Sequence, residues 1–159
     1  YRVQDRPGGV AQALACAADG THREVVVILG DNIFLPQPKL IVSPHYARCY
    51  LHKSPSHDLT QFGVPEFDGK QITEVVEKPT NPPSEYAVTG LYTFGVEVFE
   101  IICDLGASRR GEYEITDVLN EYATCRRLRY EIVSGFWGDA GTPDGLLTCA
   151  LAARDWQRE

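Results

Sequence analysis

Val25-Val26-Val27-Ile28-Leu29 is an unbroken apolar run, mostly β-branched, and it stops abruptly at Gly30-Asp31-Asn32. Five such residues without polar alternation predict a strand buried on both faces. Strands of that kind belong to parallel sheets covered by helices, so the run points to a doubly wound α/β fold with a mostly parallel central sheet.

The rest of the chain supplies helices and further strands for such a fold. Val10, Ala13, Leu14 and Ala17 recur at helical spacing behind the tight turn Pro7-Gly8-Gly9. Val98, Ile101, Ile102 and Leu105 give a second stripe, with Gly106 as its expected cap, and Ile115, Val118, Leu119 and Tyr122 a third. Thr142-Pro143 reads as N-cap and first turn of a last helix with Leu147, Ala150 and Leu151 inward. Strands are expected at Ala47–Leu51, up to Val75-Val76, over Val88–Phe94 and at Leu128–Ile132. Pro79 is expected to hold Lys78 extended. Nothing marks a domain boundary, so residues 1–159 read as one domain.

Asp31 would sit at the carboxyl end of the first buried strand, where ligands bind in open α/β sheets. Gly30-Asp31-Asn32 also suits a plain turn. Asp139, in Trp137-Gly138-Asp139-Ala140-Gly141-Thr142-Pro143, lies between small residues ahead of a helix, where capping is an adequate structural explanation. Two carboxylates from separate strand ends can converge on one hard cation such as Mg²⁺, which takes oxygen ligands and keeps substrate phosphates as others. Lys78, in Glu77-Lys78-Pro79, could offer a point charge to a phosphate, and Arg109-Arg110-Gly111 a guanidinium fork. Both also suit a solvated surface.

Charge and composition exclude other classes. The formal net charge is −7, which argues against nucleic acid and anionic membrane as partners. No apolar run exceeds six residues, far fewer than the roughly 20 of a membrane helix. Five cysteines without a C-x-x-C pair suit reduced thiols, and the polar first ten residues do not read as a signal peptide, so a cytoplasmic protein is expected. The chain has no Met and opens at Tyr1, which leads us to expect a piece of a longer protein.

A series of phrases completes the reading: Tyr1-Arg2-Val3-Gln4, Pro7 to Ala13, Leu29-Gly30-Asp31-Asn32-Ile33-Phe34, Phe62-Gly63-Val64, Val76-Glu77-Lys78-Pro79, Tyr86 to Tyr92, Arg110 to Asp117, and Trp137 to Thr142. In this order they resemble the sugar-1-phosphate nucleotidyltransferases, most of all the glucose-1-phosphate thymidylyltransferases. The resemblance implies a Rossmann-like three-layer fold with a mostly parallel, mixed central sheet. It also implies in-line attack of a sugar phosphate oxygen on the α-phosphate of dTTP, with Mg²⁺ and release of pyrophosphate. By the same resemblance Asp31 and Asp139 are the Mg²⁺ ligands, and Gln4 and Gly9 lie at the pyrimidine. Gly63, Glu77, Val88 and Tyr92 would line the sugar, with Lys78 and Arg110 on its phosphate. The full-length form would be a homo-oligomer. Alternatives are a uridylyl- or guanylyltransferase of the same family, with UTP in place of dTTP for the first, or a non-catalytic sugar-phosphate-binding remnant.

The chain departs from that pattern twice. The family's opening strand and Gly-rich phosphate loop are not in the sequence, so this stretch alone is expected to be nearly or wholly inactive. At residues 35–46 the family usually has an amphipathic helix, whereas here Pro36, Pro38 and Pro44 interrupt one. Its loss is expected to uncover one face of the strand ending at Leu29.

Overall fold

A computed structural model describes residues 1–21, 23–54, 59–108 and 111–157. Helix α1 spans Val10–Ala15, followed by strands β1 (Glu24–Ile28), β2 (Asn32–Leu35) and β3 (Ala47–Lys53). A single 3₁₀ turn at Leu59–Gln61 precedes the hairpin of β4 (Gly63–Asp68) and β5 (Gln71–Glu77). Then come β6 (Tyr86–Gly95), α2 (Val98–Asp104), α3 (Ile115–Thr124), β7 (Leu128–Ile132), β8 (Phe136–Asp139) and α4 (Pro143–Trp156).

The main sheet runs β1-β6-β3-β7, with the ribbons β2-β8 and β4-β5 beside it. The α/β architecture and the mixed sheet are the expected ones, but the pairing is mostly antiparallel where mostly parallel pairing was expected. Strand β6 runs antiparallel to both β1 and β3, and only β3 and β7 are parallel. The reason lies in the connection from β3 to β6. Lys53 pairs with Tyr86, so the chain leaves and re-enters the sheet at one end, and the β4-β5 hairpin falls in the interval. Such a return needs no crossover helix, whereas a parallel pair needs a long crossover.

The strand buried on both faces is β6, not β1. Every residue from Ala87 to Gly95 is buried, while β1 alternates exposed and half-buried positions. Val25 and Val27 pack on the helix side with the main core, whereas Val26 and Ile28, 45% and 59% exposed, face the other way. The apolar run therefore marks an edge strand covered on one face. Strand β6 carries two buried threonine hydroxyls, and both are satisfied: Thr89 Oγ1 donates to the Tyr50 carbonyl and Thr93 Oγ1 to the Ile41 carbonyl, each at 2.8 Å.

That second bond explains residues 36–46. No helix forms there, and the segment runs as a strap against the sheet. Tyr50 Oη fastens it, accepting from the Ile41 amide at 2.9 Å and donating to the Lys39 carbonyl at 3.2 Å. The strap is tied to β6 and β3 and leaves Val26 and Ile28 open.

Helices α1, α2 and α3 cover the opposite face. Ala11 and Leu14 are the buried residues of α1, and Ala13 of the expected stripe is exposed. Val118, Leu119 and Tyr122 of α3 join Tyr92 and Phe94 of β6 and Leu128 of β7 in the main core. Each such buried apolar side chain contributes roughly 1.5–3 kcal/mol. Helix α2 ends at Asp104 with Leu105 extended, so Gly106 does not cap it.

Helix α4 departs furthest from the sequence pattern. Its cap is as read, with Thr142 Oγ1 accepting from the Gly145 amide at 3.1 Å. Its Leu147, Ala150 and Leu151 nevertheless face outward, and Cys149 is the buried residue. Small residues decide this. A Cβ on Gly145 would lie 2.1 Å from the Asp139 carbonyl oxygen, and one on Gly138 would lie 2.5 Å from Cys149 Sγ. The helix approaches β8 on its narrowest side, which turns the leucines away. Among the described residues no helix is long and apolar enough to cross a membrane.

Candidate active site

The β2-β8 ribbon builds one half of the site. The Leu29 amide donates to the Gly90 carbonyl at 2.8 Å, and the chain then turns through Gly30 and Asp31 into β2. Asn32 pairs with Asp139 across the ribbon, which brings Asp31 and Asp139 to the same end of it. The Ala140 amide donates to the Asp31 carbonyl at 2.7 Å, and the Gly141 amide to Asp139 Oδ1 at 2.7 Å.

These bonds leave the two carboxylates facing one small space. A Cβ built on Gly141 would stand 2.9 Å from Asp139 Oδ1 and 3.2 Å from Asp31 Oδ2. The pair predicted from separate strand ends thus meets across the hydrogen of one glycine. Both line an open cleft of about 640 Å³ that also receives His52, Thr148 and Cys149. Burial first, and the Asp139 charge second, push the Cys149 thiol up, which keeps it protonated beside the acid.

The second half is a smaller cavity of about 180 Å³ under the β4-β5 hairpin. Gly63, Glu77, Val88 and Tyr92, expected to serve one substrate, all line it, and Asp139 opens onto it from the ribbon. Gly63 gives the cavity its depth: a Cβ there would lie 3.0 Å from Thr116 Cγ2 and 3.7 Å from Glu77 Oε2. Burial pushes the Tyr92 hydroxyl up, with the Cys49 and Glu77 charges adding to it, so Tyr92 remains a neutral donor near an acceptor carboxylate.

Other expected residues stand apart from this lining. Gln4 Nε2 donates to the Gly9 carbonyl at 3.2 Å and to Gln12 Oε1 at 2.8 Å, so Gln4 and Gly9 form one cluster at the start of α1. Gly9 takes φ 101°, and a Cβ there would meet the Tyr113 carbonyl at 2.4 Å. The cluster adjoins the cavity through Val10. Lys78 is exposed beside Glu77, and its backbone is not extended but left-handed at φ 45°. Its amide adds a rung to the β4-β5 ladder, donating to the Phe62 carbonyl at 3.0 Å, and this bond holds Lys78 against the preference imposed by Pro79. Arg110 lies outside the described residues.

Three lining residues had no role assigned from sequence. Thr116, on α3, is 3% exposed, and its hydroxyl has no partner among the described residues. Trp137 forms a wall, edge-on to Phe62 at 5.0 Å and tilted against His52 at 5.5 Å. Asn32 sits beneath, taking the Trp137 indole N–H on Oδ1 at 2.7 Å. The signals were present: a tryptophan two residues before Asp139, and polar residues embedded in apolar phrases.

Comparison with known proteins decides the family. The model of the nucleotidyl transferase family matches residues 1–155. The chain belongs to that family. A glucose-1-phosphate thymidylyltransferase of Mycobacterium tuberculosis is 38% identical over 170 residues, covering 99% of this chain and 57% of the relative. A Bacillus anthracis structure described as a glucose-1-phosphate thymidylyltransferase in complex with a sucrose superposes with a TM-score of 0.84 at 40% identity. That match covers 98% of this nucleotidyl transferase chain and 65% of the other. A UDP-glucose pyrophosphorylase complexed with UDP-glucose shares the fold, with a TM-score of 0.81 at 21% identity over 98% of this chain and 65% of its own. The chain therefore spans between about half and two thirds of the length of these relatives.

Proposed function

We propose that this chain carries the sugar-phosphate pocket and the cation carboxylates of an enzyme that joins dTTP to glucose 1-phosphate and releases pyrophosphate. The observation that carries the reading is the meeting of Asp31 and Asp139 at the rim of the cavity lined by Glu77, Tyr92 and Thr116. The relatives near 40% identity support the nucleotide and the sugar by the names they bear.

The donor set fits a hard divalent cation. Two converging carboxylates, with no third His, Cys, Asp or Glu grouped with them among the described residues, suit Mg²⁺, which is held by one or two carboxylates together with substrate phosphates. When bound, Mg²⁺ would neutralise charge on the phosphates as it shifts during transfer. Asp31 and Asp139 would hold it. Glu77 would accept hydrogen bonds from sugar hydroxyls, while Tyr92 and Thr116 would donate to them. The sugar phosphate oxygen would form the new bond to the α-phosphorus as the bond to the β-phosphate oxygen breaks, so that pyrophosphate departs. Lys78 and Arg110 would offset the anionic charge of the sugar phosphate. Gln4, held by Gln12 and Gly9, would meet the base.

Mg²⁺-dependent pyrophosphate release from dTTP and glucose 1-phosphate tests the reading, with Asp139→Ala run beside it. Turnover that this substitution lowers by at least about a hundredfold supports it. Folded protein that neither turns over nor binds glucose 1-phosphate by calorimetry refutes it. The same assay with UTP in place of dTTP separates the thymidylyl from the uridylyl alternative.

A further inference from the structure

We propose that Asn32 is a positioning residue that joins the two halves of this site, orienting the Asp31 carboxylate and the Trp137 wall through a single side-chain amide. The inference rests on the reading of Asp31 and Asp139 as cation ligands.

Asn32 opens β2 and is 8% exposed. Its Oδ1 accepts from Trp137 Nε1 at 2.7 Å and from the Gly90 amide at 2.8 Å. Both of those groups can only donate, so the amide has one permitted orientation. Its Nδ2 must then face Asp31, and it donates to Oδ1 at 2.9 Å. That bond occupies one oxygen of the carboxylate and leaves Oδ2 turned toward Gly141 and Asp139.

The surrounding chain is shaped to this amide. A Cβ on Gly90 would lie 2.6 Å from Asn32 Nδ2 and 2.7 Å from its Cγ, so only glycine leaves the side chain its place. Turning the amide would leave the buried indole N–H and the Gly90 N–H without an acceptor. Wall, central strand and carboxylate are therefore set together. Removing the indole N–H takes away one of the two donors that fix the amide, so the hold on Asp31 weakens although Trp137 offers no atom to a cation. Partners of this kind, one step removed from the ligands, commonly govern metal affinity.

Mn²⁺ binding to the chain, read by water-proton relaxation, tests the link without requiring turnover. Trp137→Phe keeps an aromatic ring and removes the donor, and Asn32→Ala removes the amide. Each should weaken Mn²⁺ binding about tenfold, and the double variant should bind no more weakly than Asn32→Ala alone. Gly90→Ala approaches the same amide from β6 and should weaken binding alone, and clearly less in the Asn32→Ala background, where its methyl meets only Leu29 Cγ. Wild-type affinity in Trp137→Phe, or effects that multiply in the double variants, would overturn the proposal. Were the unsubstituted chain to bind no more Mn²⁺ than Asp31→Asn, the cation reading itself would fall, and the proposal with it.

Discussion

Gly141 is the residue at which the smallest chemical change should have the most local effect. Its φ is not in the left-handed region, so alanine is allowed by the backbone, and the added methyl would stand between the carboxylates of Asp139 and Asp31. Gly141→Ala should leave the thermal midpoint near the wild-type value while lowering Mn²⁺ affinity at least about tenfold, because the methyl sits where the ligands must converge. A variant that binds Mn²⁺ as tightly as wild type would show that the cation lies elsewhere. Thr116 offers the opposite trade. Its buried hydroxyl has no partner among the described residues, and a buried hydroxyl left unpaired costs about 1–3 kcal/mol. Thr116→Val keeps the shape and removes that penalty, so the chain should resist urea better while binding glucose 1-phosphate more weakly. Loss of both properties would mean that the hydroxyl serves the fold and not the ligand.

At the scale of elements, Arg127 ties three pieces of chain together. It donates through Nη2 to Glu97 at the start of α2 and through Nε to the His45 carbonyl at 2.7 Å, and its guanidinium lies 5.6 Å from the Tyr122 ring centre. The hydrogen bond to Arg127 holds the Glu97 carboxyl below its usual value of 4.5. A depressed carboxyl means that the folded chain binds fewer protons than the unfolded one near that pH. The stabilisation is therefore present above about 4.5 and fades as acid protonates the folded carboxylate. Glu97→Gln should lower the stability measured by urea unfolding near neutral pH by less than about 1 kcal/mol, since the pair is partly exposed, and the gap to wild type should close at lower pH. A gap that stays constant with pH would assign the effect to packing. Elements of this kind were the most legible part of the sequence, because helix stripes such as Ile115, Val118, Leu119 and Tyr122 are set by local period. Faces were harder. The Val25–Leu29 run names a strand, but its neighbours are set by the return of β6, which no local pattern encodes. In α4 the leucine stripe is stronger than the small-residue stripe, yet Gly145 and Cys149 win because the ribbon comes too close for anything larger. Of the candidate site, the convergence of Asp31 and Asp139 and the grouping of Glu77 with Gly63, Val88 and Tyr92 were legible as placements. Asn32 and Trp137 left local signals in the sequence, but the hydrogen bond that joins them did not show there, since it links residues 105 positions apart.

Across the whole molecule, β6 is the element shared by the separate apolar clusters. It gives Tyr92 and Phe94 to the main core, Ala87 to the group around Trp137, and Leu91 to the group around Tyr50 and Val133. A strand shared this way couples the clusters, so opening β6 should mean opening the whole chain. The cysteines report on this by position. Cys103 and Cys125 are exposed, Cys16 is half-buried, and Cys49 and Cys149 are buried. Cys49 lies in β3 against β6, and burial pushes its thiol up to about 12, so in mildly alkaline solution it is neutral as well as inaccessible. The thiolate is the reacting species and must also be reached, so Cys103 and Cys125 should be modified first by an aromatic disulfide reagent. Cys16, half-buried, should follow. Cys149 lies between α4 and β8, where the helix packs through small residues, and it should react after Cys16, at a rate that rises only weakly with urea. Cys49 should react last, with a urea dependence equal to that of global unfolding followed by circular dichroism. Mass spectrometry of the labelled peptides reads all of these rates in one experiment. Cys49 reacting as early as Cys149 would mean that the central sheet opens locally, and the coupling through β6 would then be wrong.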